Sequence, residues 1–305
     1  MIEILGKTNI DFMGKRRIAF VFSGILVALG LLALVQIARG AANLGIDFAG
    51  GTAVQLKFDQ PVRIDQARTA LERNNLGGAE IQEFESESKL LIRMKTTTTI
   101  EEKVADRIVA IFGKEFPERK LDVEASTEIG PTIGHKLQED ALIAIAISFV
   151  GIILYIAARF EFRFGVAAAI ATFHDVLVVL GLFYVLDKEV TLLVVTALLT
   201  LAGYSLTDTV VVFDRIRENL RVRRRDGLET VINNGVNQVL SRTIVTSLTV
   251  VLVLVPLTVA GGEVLHDFSL ALLLGVIVGT YSSVFVASTM LVVLPGGAGR
   301  LLKRG

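Results

Sequence analysis

Apolar residues run through this chain in six long blocks, and between the first and second lies a stretch patterned quite differently. The blocks cover about Ile18–Ala38, Ala141–Ala158, Val166–Leu186, Val190–Phe213, Thr243–Ala260 and Phe268–Leu294. Each approaches the roughly 20 apolar residues that an α-helix needs to cross a bilayer. The intervening stretch, Arg39–Asp140, has the periods of a small folded domain instead. Thr52–Phe58 alternates and predicts a strand. Ile64–Asn75, apolar at Ile64, Ala67 and Leu71, predicts a helix that stops near Gly77-Gly78. Ala79–Phe84 and Lys89–Lys95 predict two strands joined by the polar turn Glu85–Ser88. Thr99-Ile100-Glu101-Glu102 fits a capping box and opens a helix to about Phe116, which Pro117 ends; Leu121–Glu128 predicts a last strand. The order β-α-β-β-α-β is the ferredoxin-like pattern. The expected fold is a polytopic α-helical membrane protein with an α+β ferredoxin-like extracytoplasmic domain between its first two helices. Its three parts are residues 1–38, 39–140 and 141–305.

Composition agrees with that class. Of 305 residues, 52% are hydrophobic, too many for an ordinary soluble domain. The chain has no Cys, which removes disulfides, thiol catalysis and Cys metal sites. The first apolar block is too long for a signal-peptide core and lacks a small-x-small cleavage site, so it stays as an anchor.

The basic residues orient the spans. Lys7, Lys15, Arg16 and Arg17 precede span 1, and Arg159 and Arg163 separate spans 2 and 3. Arg215, Arg217, Arg221, Arg223, Arg224 and Arg225 follow span 4; Arg300, Lys303 and Arg304 follow span 6. The alternate short loops carry only Lys188. By the positive-inside rule both termini are cytoplasmic. The loop Asp214–Leu240, with its arginine cluster, reads as a topology signal in contact with anionic lipid; without aromatic residues it gives no support to nucleic-acid binding.

Candidate chemistry then concentrates on charges inside the spans. Asp208 stands in span 4, where a carboxyl group costs roughly 2.5–3.5 kcal/mol to insert. Leu201, Tyr204, Ser205, Asp208 and Val212 share one face of that helix. His174-Asp175 interrupts span 3 near its middle. At ~1.5 Å per residue, Asp175 is ~15 Å inside and Asp208 ~8 Å from the cytoplasmic end, so the two suit one polar track. Arg242 opens span 5 with Thr246 and Thr249 on its own face, a natural counter-charge for Asp208. Structural readings stand beside these. Asp208 can be bonded to a neighbouring helix, His174 and Asp175 to each other or to backbone, and Arg242 can be an anchor that snorkels to the interface. His174, Asp175 and Asp208 supply too few ligands for a metal site. No P-loop, His-Glu-x-x-His or Gly-x-Ser-x-Gly motif is present. The work of such a protein then draws on an ion gradient, at about 2.3 kcal/mol per charge and 100 mV.

Glycines mark two further features. Gly45–Thr52, with Gly50 and Gly51, leads into the domain, and Gly130-Pro131-Thr132-Ile133-Gly134 leads out of it. They read as turn chemistry or as hinges that let the domain swing. In span 6, Ala271, Gly275, Gly279, Ser283 and Ala287 recur every four residues. Such a small-residue stripe lets helices approach closely in lipid, within this chain or against a partner.

Four blocks carry a resemblance over essentially the whole chain: Gly45–Thr52, Glu128–Gly134, Gly203–Asn219 and Ser241–Ser247, with His174-Asp175 in span 3. The chain resembles the SecF subunits of the SecDF protein-export accessory complex, in the resistance-nodulation-division superfamily. The resemblance implies pairing with SecD in a pseudo-symmetric bundle and association with the SecYEG channel and YajC. It implies promotion of late preprotein translocation across the bacterial inner membrane by the proton motive force, with protons as the coupling ion and neither cofactor nor enzymatic activity. It assigns Asp208 and Arg242 to the proton-conducting region. Thr207 stands where the family more often has Asn, which changes the local hydrogen bonding expected at Asp208. Two other classes remain open: a proton-coupled exporter of small molecules or lipids, and a membrane scaffold without transport.

Overall fold

The computed structural model describes residues 8–84, 88–95, 104–222 and 226–294. In chain order the elements are α1 (Arg16–Ala38), the single turn α2 (Ile46–Ala49), β1 (Gly51–Phe58), α3 (Ile64–Arg73), β2 (Glu80–Phe84), β3 (Lys89–Lys95), α4 (Val104–Glu115) and β4 (Leu121–Ile129). Next come α5 (Pro131–Arg159), α6 (Phe162–Val185), α7 (Leu192–Val222), α8 (Leu228–Ala260) and α9 (Gly262–Ser282), a π-helical stretch Ser283–Ala287, and α10 (Ser288–Val293). The chain divides into two compact units, Leu44–Ile143 and Met1–Asn43 with Ala144–Gly305. The Thr99–Glu102 capping box, Glu85–Glu87 of the polar turn, Lys7, Arg223–Arg225 and the basic residues Arg300, Lys303 and Arg304 lie outside the described residues.

The smaller unit has the expected β-α-β-β-α-β order. Its sheet runs β2-β3-β1-β4, and every neighbouring pair is antiparallel, the ferredoxin-like arrangement. Alternation along β1 explains the core. Val54, Leu56 and Phe58 are buried and meet Ala67, Ala70 and Leu71 of α3 and Ile108, Ile111 and Phe112 of α4. The opposite face is polar: Glu124, beside a register shift in the β1–β4 ladder, pairs with Lys57 at 3.6 Å and Lys89 at 3.0 Å.

The larger unit holds the apolar helices apart from the start of α5, which belongs to the smaller unit. Among the described residues six helices are long and apolar enough to cross a membrane, one for each expected block. Most run past the expected ends. The helix of span 2 begins at Pro131, ten residues before the apolar block, because Pro suits a first helical turn. The stretch expected as a loop, Asp214–Leu240, is mostly helix: α7 runs to Val222 and α8 starts at Leu228. Val231, Ile232, Val236 and Leu240 recur at helical spacing and pack with Phe213, Ile216 and Leu220. Apolar contact holds both ends helical beyond the apolar blocks.

Two joints fix α1. Midway, it meets α6 glycine to glycine: a Cβ on Gly181 would lie 2.6 Å from the Gly30 nitrogen. Ahead of α1, a strap of residues 8–13 lies on α8. Asn237 accepts from the Ile10 amide and donates to the Ile10 carbonyl, both at 2.9 Å. Asn233 Oδ1 accepts from the amides of Phe12 and Met13 at 3.0 and 3.1 Å. Phe12 and Met13 are buried among the bundle's apolar side chains.

Candidate functional site

α6 brings His174 and Asp175 into the middle of the larger unit. Three small alanines, Ala167, Ala168 and Ala171, are buried one turn or more before them, so neighbouring helices can come close. Asp175 is fully enclosed, with 0% exposure. Its Oδ1 is 2.9 Å from His174 Nδ1. Its Oδ2 accepts hydrogen bonds from the hydroxyls of Ser205 on α7 and Ser282 on α9, the latter at 2.7 Å. Among the described residues no Lys or Arg forms an ion pair with it; His174 is its ionisable partner. Three helices thus deliver donors to one carboxyl group, which is how a buried charge is accommodated.

The small-residue stripe explains how α9 gets there. Ala271, Gly275, Gly279, Ser283 and Ala287 are all buried. A Cβ on Gly275 would lie 2.5 Å from both Leu201 methyl carbons, and one on Gly279 would lie 3.1 Å from Ser205 Cβ. Of the two readings of that stripe, close packing inside this chain is the one seen. It sets α9 against α7 and carries Ser282 to Asp175.

Asp208 is built differently. It is 8% exposed, and its Oδ2 is buried with no hydrogen-bond partner. The carboxyl group faces α8, where Arg242 attracts it and Thr246 and Ser247 lie beside it. No ion pair closes between Asp208 and Arg242 among the described residues. Arg242 is exposed and borders an open hollow with Asp214, Arg215, Glu218 and Gln238. Ser247 faces Tyr204 as well, but its Oγ is engaged at 2.6 Å with Thr280 of α9. Tyr204 Oη is left buried and unbonded.

Several expectations change at this point. The hydroxylated surround expected for Asp208 on its own helix is divided. Ser205 turns to Asp175, because three residues of helix set it about 60° round from Asp208. Thr207 is exposed and donates to the Gly203 carbonyl at 3.1 Å, so it does not bond Asp208. Thr246 and Thr249 do share the exposed face of Arg242, yet each donates its hydroxyl back to its own helix. The counter-charge is near but unpaired, and the polar track has two separate carboxyl sites.

The glycine segments also differ from two free turns. Gly50 and Gly51 have φ of +73° and +149°, which favour glycine. Gly50 packs on the start of α5: a Cβ on it would lie 3.2 Å from Pro131 Cα, and one on Gly134 would lie 3.0 Å from the Phe48 carbonyl oxygen. Gln138 donates to that same carbonyl at 2.9 Å. Gly45 adopts an extended conformation and starts α2. Gly130 precedes an unbroken helix that contains Gly134. The two segments form one packed knot. Ser282, Thr280 and Ser247 are the residues sequence reasoning passed over; the signal was a run of hydroxyls, Thr280-Tyr281-Ser282-Ser283, inside an apolar span.

This chain is similar to protein export membrane proteins. Residues 111–296 match the model for the C-terminal part of the SecD/SecF protein export membrane proteins, and residues 42–62 match the SecD/SecF GG motif. The protein translocase subunit SecF of Thermodesulfovibrio yellowstonii is 52% identical over 306 residues, covering all of both chains. That of Vibrio alginolyticus is 38% identical, covering 95% of this chain and 91% of its own. The crystal structure of SecDF, a translocon-associated membrane protein from Thermus thermophilus, superposes with a TM-score of 0.81 at 35% identity. That match covers 94% of this chain and 38% of the SecDF chain. With its multi-pass helices, its ferredoxin-like unit and its glycine knot, this chain belongs to the SecF family of protein translocase subunits.

Proposed function

We propose that the chain is the SecF half of a SecD–SecF pair that draws on the proton motive force to promote late steps of preprotein translocation. In this reading it lies in the bacterial inner membrane with both termini cytoplasmic and the ferredoxin-like unit outside. It works beside the SecYEG channel and YajC, and its arginine-rich segment touches anionic lipid. Protons are the coupling ion, and no cofactor is required.

The observation that carries the reading is Asp208. Among the described residues, one oxygen of its buried carboxyl group has no hydrogen-bond partner, and the group faces Arg242 without closing an ion pair. A charge held this loosely in an apolar span is costly, and a proton removes the cost. When ionised, Asp208 is drawn toward Arg242 across the α7–α8 contact. When it takes a proton from the outer side, that attraction disappears and the two helices relax; release to the cytoplasm restores it. A 100 mV gradient supplies about 2.3 kcal/mol per proton, enough to shift a two-state equilibrium nearly fifty-fold. α5 is an unbroken helix from Pro131 to Arg159, and in this mechanism it carries the movement to the outer unit, which hinders substrate from sliding back. His174 and Asp175 belong to the same polar interior.

The test is preprotein translocation into vesicles containing the channel, SecD and this chain, with an imposed proton gradient. Asp208→Asn is expected to reduce translocation to the level without a gradient, with complex assembly intact. Gradient-driven translocation at the wild-type rate would end the proposal.

A further inference from the structure

One helical turn joins the two carboxyl sites, and it holds a hydroxyl with two acceptors. On α9, Ser282 Oγ donates to Asp175 Oδ2 at 2.7 Å and lies 3.2 Å from the Gly279 carbonyl oxygen of its own helix. Two residues earlier, Thr280 Oγ1 meets Ser247 Oγ at 2.6 Å, and Ser247 borders Asp208. Ser282 is fully buried, so no bulk water competes for its hydroxyl. Ser205, the other donor to Oδ2, is bonded through its side chain to Asp175 and to no other group among the described residues.

Hydrogen-bond stoichiometry limits what this carboxyl oxygen can hold. An ionised Oδ2 accepts both serine hydroxyls. Once a proton adds to Oδ2, that oxygen becomes a donor, and one serine must release it or turn round to accept. A buried hydroxyl without an acceptor costs about 1–3 kcal/mol. Ser282 has its second acceptor in place, so it is the hydroxyl that can leave, by rotation from Asp175 to the Gly279 carbonyl. No covalent bond other than the new O–H is made.

The backbone at this point is unusual. The next five residues, Ser283–Ala287, are π-helical. Such turns are rare and frequently sit at functional sites. Tyr281, beside Ser282, is tied to α1 by bonds of 3.1 Å to Ser23 and to the Ala19 carbonyl.

We propose that Ser282 is a positioning residue for Asp175, a hydroxyl switch whose two settings follow the carboxyl's protonation and reach the Asp208 side through the Thr280–Ser282 turn. The groups that face Asp175 are His174 on its own helix, Ser205 from α7 and Ser282 from α9; His174 is the titratable one among them. The proposal rests on the proton-coupled reading above and names a new residue within it.

The test compares Ser282→Ala, Ser282→Thr and Ser283→Ala, reconstituted with SecD and the channel. Two readouts are used: gradient-driven translocation, and the infrared C=O band of the Asp175 carboxyl, assigned by Asp175→Asn. Ser282→Ala is expected to move the Asp175 band and to slow the gradient-driven step about ten- to hundredfold, the range for one hydrogen bond to a charged group. Co-purification with SecD stays unchanged, which shows that the complex is assembled. Ser282→Thr keeps the hydroxyl and restores both readouts. Ser283→Ala alters neither, because that hydroxyl bonds the Thr280 carbonyl of its own helix at 3.1 Å. An unmoved band in Ser282→Ala overturns the positioning role. A moved band with wild-type translocation overturns the link to transport. If Asp208→Asn also translocates normally while the band still moves, the coupling reading fails and the assignment of Ser282 to Asp175 survives.

Discussion

Asp175 and Asp208 are both carboxyl groups in apolar helices, and they are accommodated in opposite ways. Asp175 has no exposure and three donors from three helices. Asp208 has slight exposure, an unbonded oxygen and a cation that stays at a distance. A fully bonded buried carboxyl group ties its neighbours to its own protonation state, whereas a partly bonded one leaves them free to choose between arrangements. The first site therefore organises the α6–α7–α9 core, and the second is placed to respond.

The largest expected effect breaks this contrast if it fails. Asp175→Ala strands the Ser205 and Ser282 hydroxyls and the His174 Nδ1 group in an apolar interior. Each loss costs about 1–3 kcal/mol, partly relieved at Ser282 by the Gly279 carbonyl. Unfolding of the purified protein in detergent should show a large drop in stability. Asp208→Asn removes a charge with no hydrogen bond to lose on Oδ2, so its stability should match wild type. Equal destabilisation by the two variants would show that Asp208 is held as firmly as Asp175.

The helix contacts that create the enclosed site give the next effect. Gly181→Ala places a methyl 2.6 Å from the Gly30 backbone nitrogen. Backbone cannot yield, so α1 must move. Gly275→Ala meets the ends of the Leu201 side chain, which can turn away. Overpacking costs about 1–3 kcal/mol, and Gly181→Ala should fall at the top of that range and Gly275→Ala at the bottom. Gly203 and Gly24 have nothing near a new Cβ; alanine there should be neutral or slightly stabilising. Thermal unfolding of the four variants checks the order. A loss at Gly203→Ala as large as at Gly181→Ala would mean that close approach is not what these positions provide.

The parts of this molecule legible in its sequence are those set by local period. Alternation marked β1, the 3.6-residue spacing marked α3, and apolar length marked six spans, each present as a helix. Asp208, Asp175 and Arg242 stood out because charge is rare at such positions. Partners were not legible, because they depend on which helices meet. Ser205 lies on the face shared with Asp208, yet it serves Asp175, a choice made by the close approach of α9. Ser282 carries no charge or period that sets it apart from other small residues of an apolar helix. The two glycine segments read as separate turns since nothing local records that Gly50 touches Pro131. Span ends were misplaced where tertiary packing, as of Val231 and Val236 on Ile216, keeps polar sequence helical.

A third carboxyl group extends the comparison to the exposed surface, with the smallest expected effect. Asp11 accepts from the Gly14 amide at 2.9 Å and from Asn233 Nδ2 at 2.8 Å. Those two donors, in that order, hold its carboxyl below the usual aspartate range. Both favour the ionised form. A depressed pKa means that the strap on α8 gains stability which is full above the unfolded aspartate value of about 3.9 and fades as pH falls through the lower folded value. Hydrogen exchange at the Gly14, Met13 and Phe12 amides should therefore be steady through neutral and mildly acid pH, once corrected for intrinsic rate. Protection should begin to fall only below about pH 4. Asn233→Ala should weaken protection at every pH, because Asn233 Oδ1 itself accepts from Phe12 and Met13, and it should shift the acid transition upward by removing one of the two donors. Since Asp11 stays in water, both changes should be small beside those at Asp175. A strap whose protection is the same at pH 3 and pH 7 would show that Phe12 and Met13 hold it by apolar burial alone.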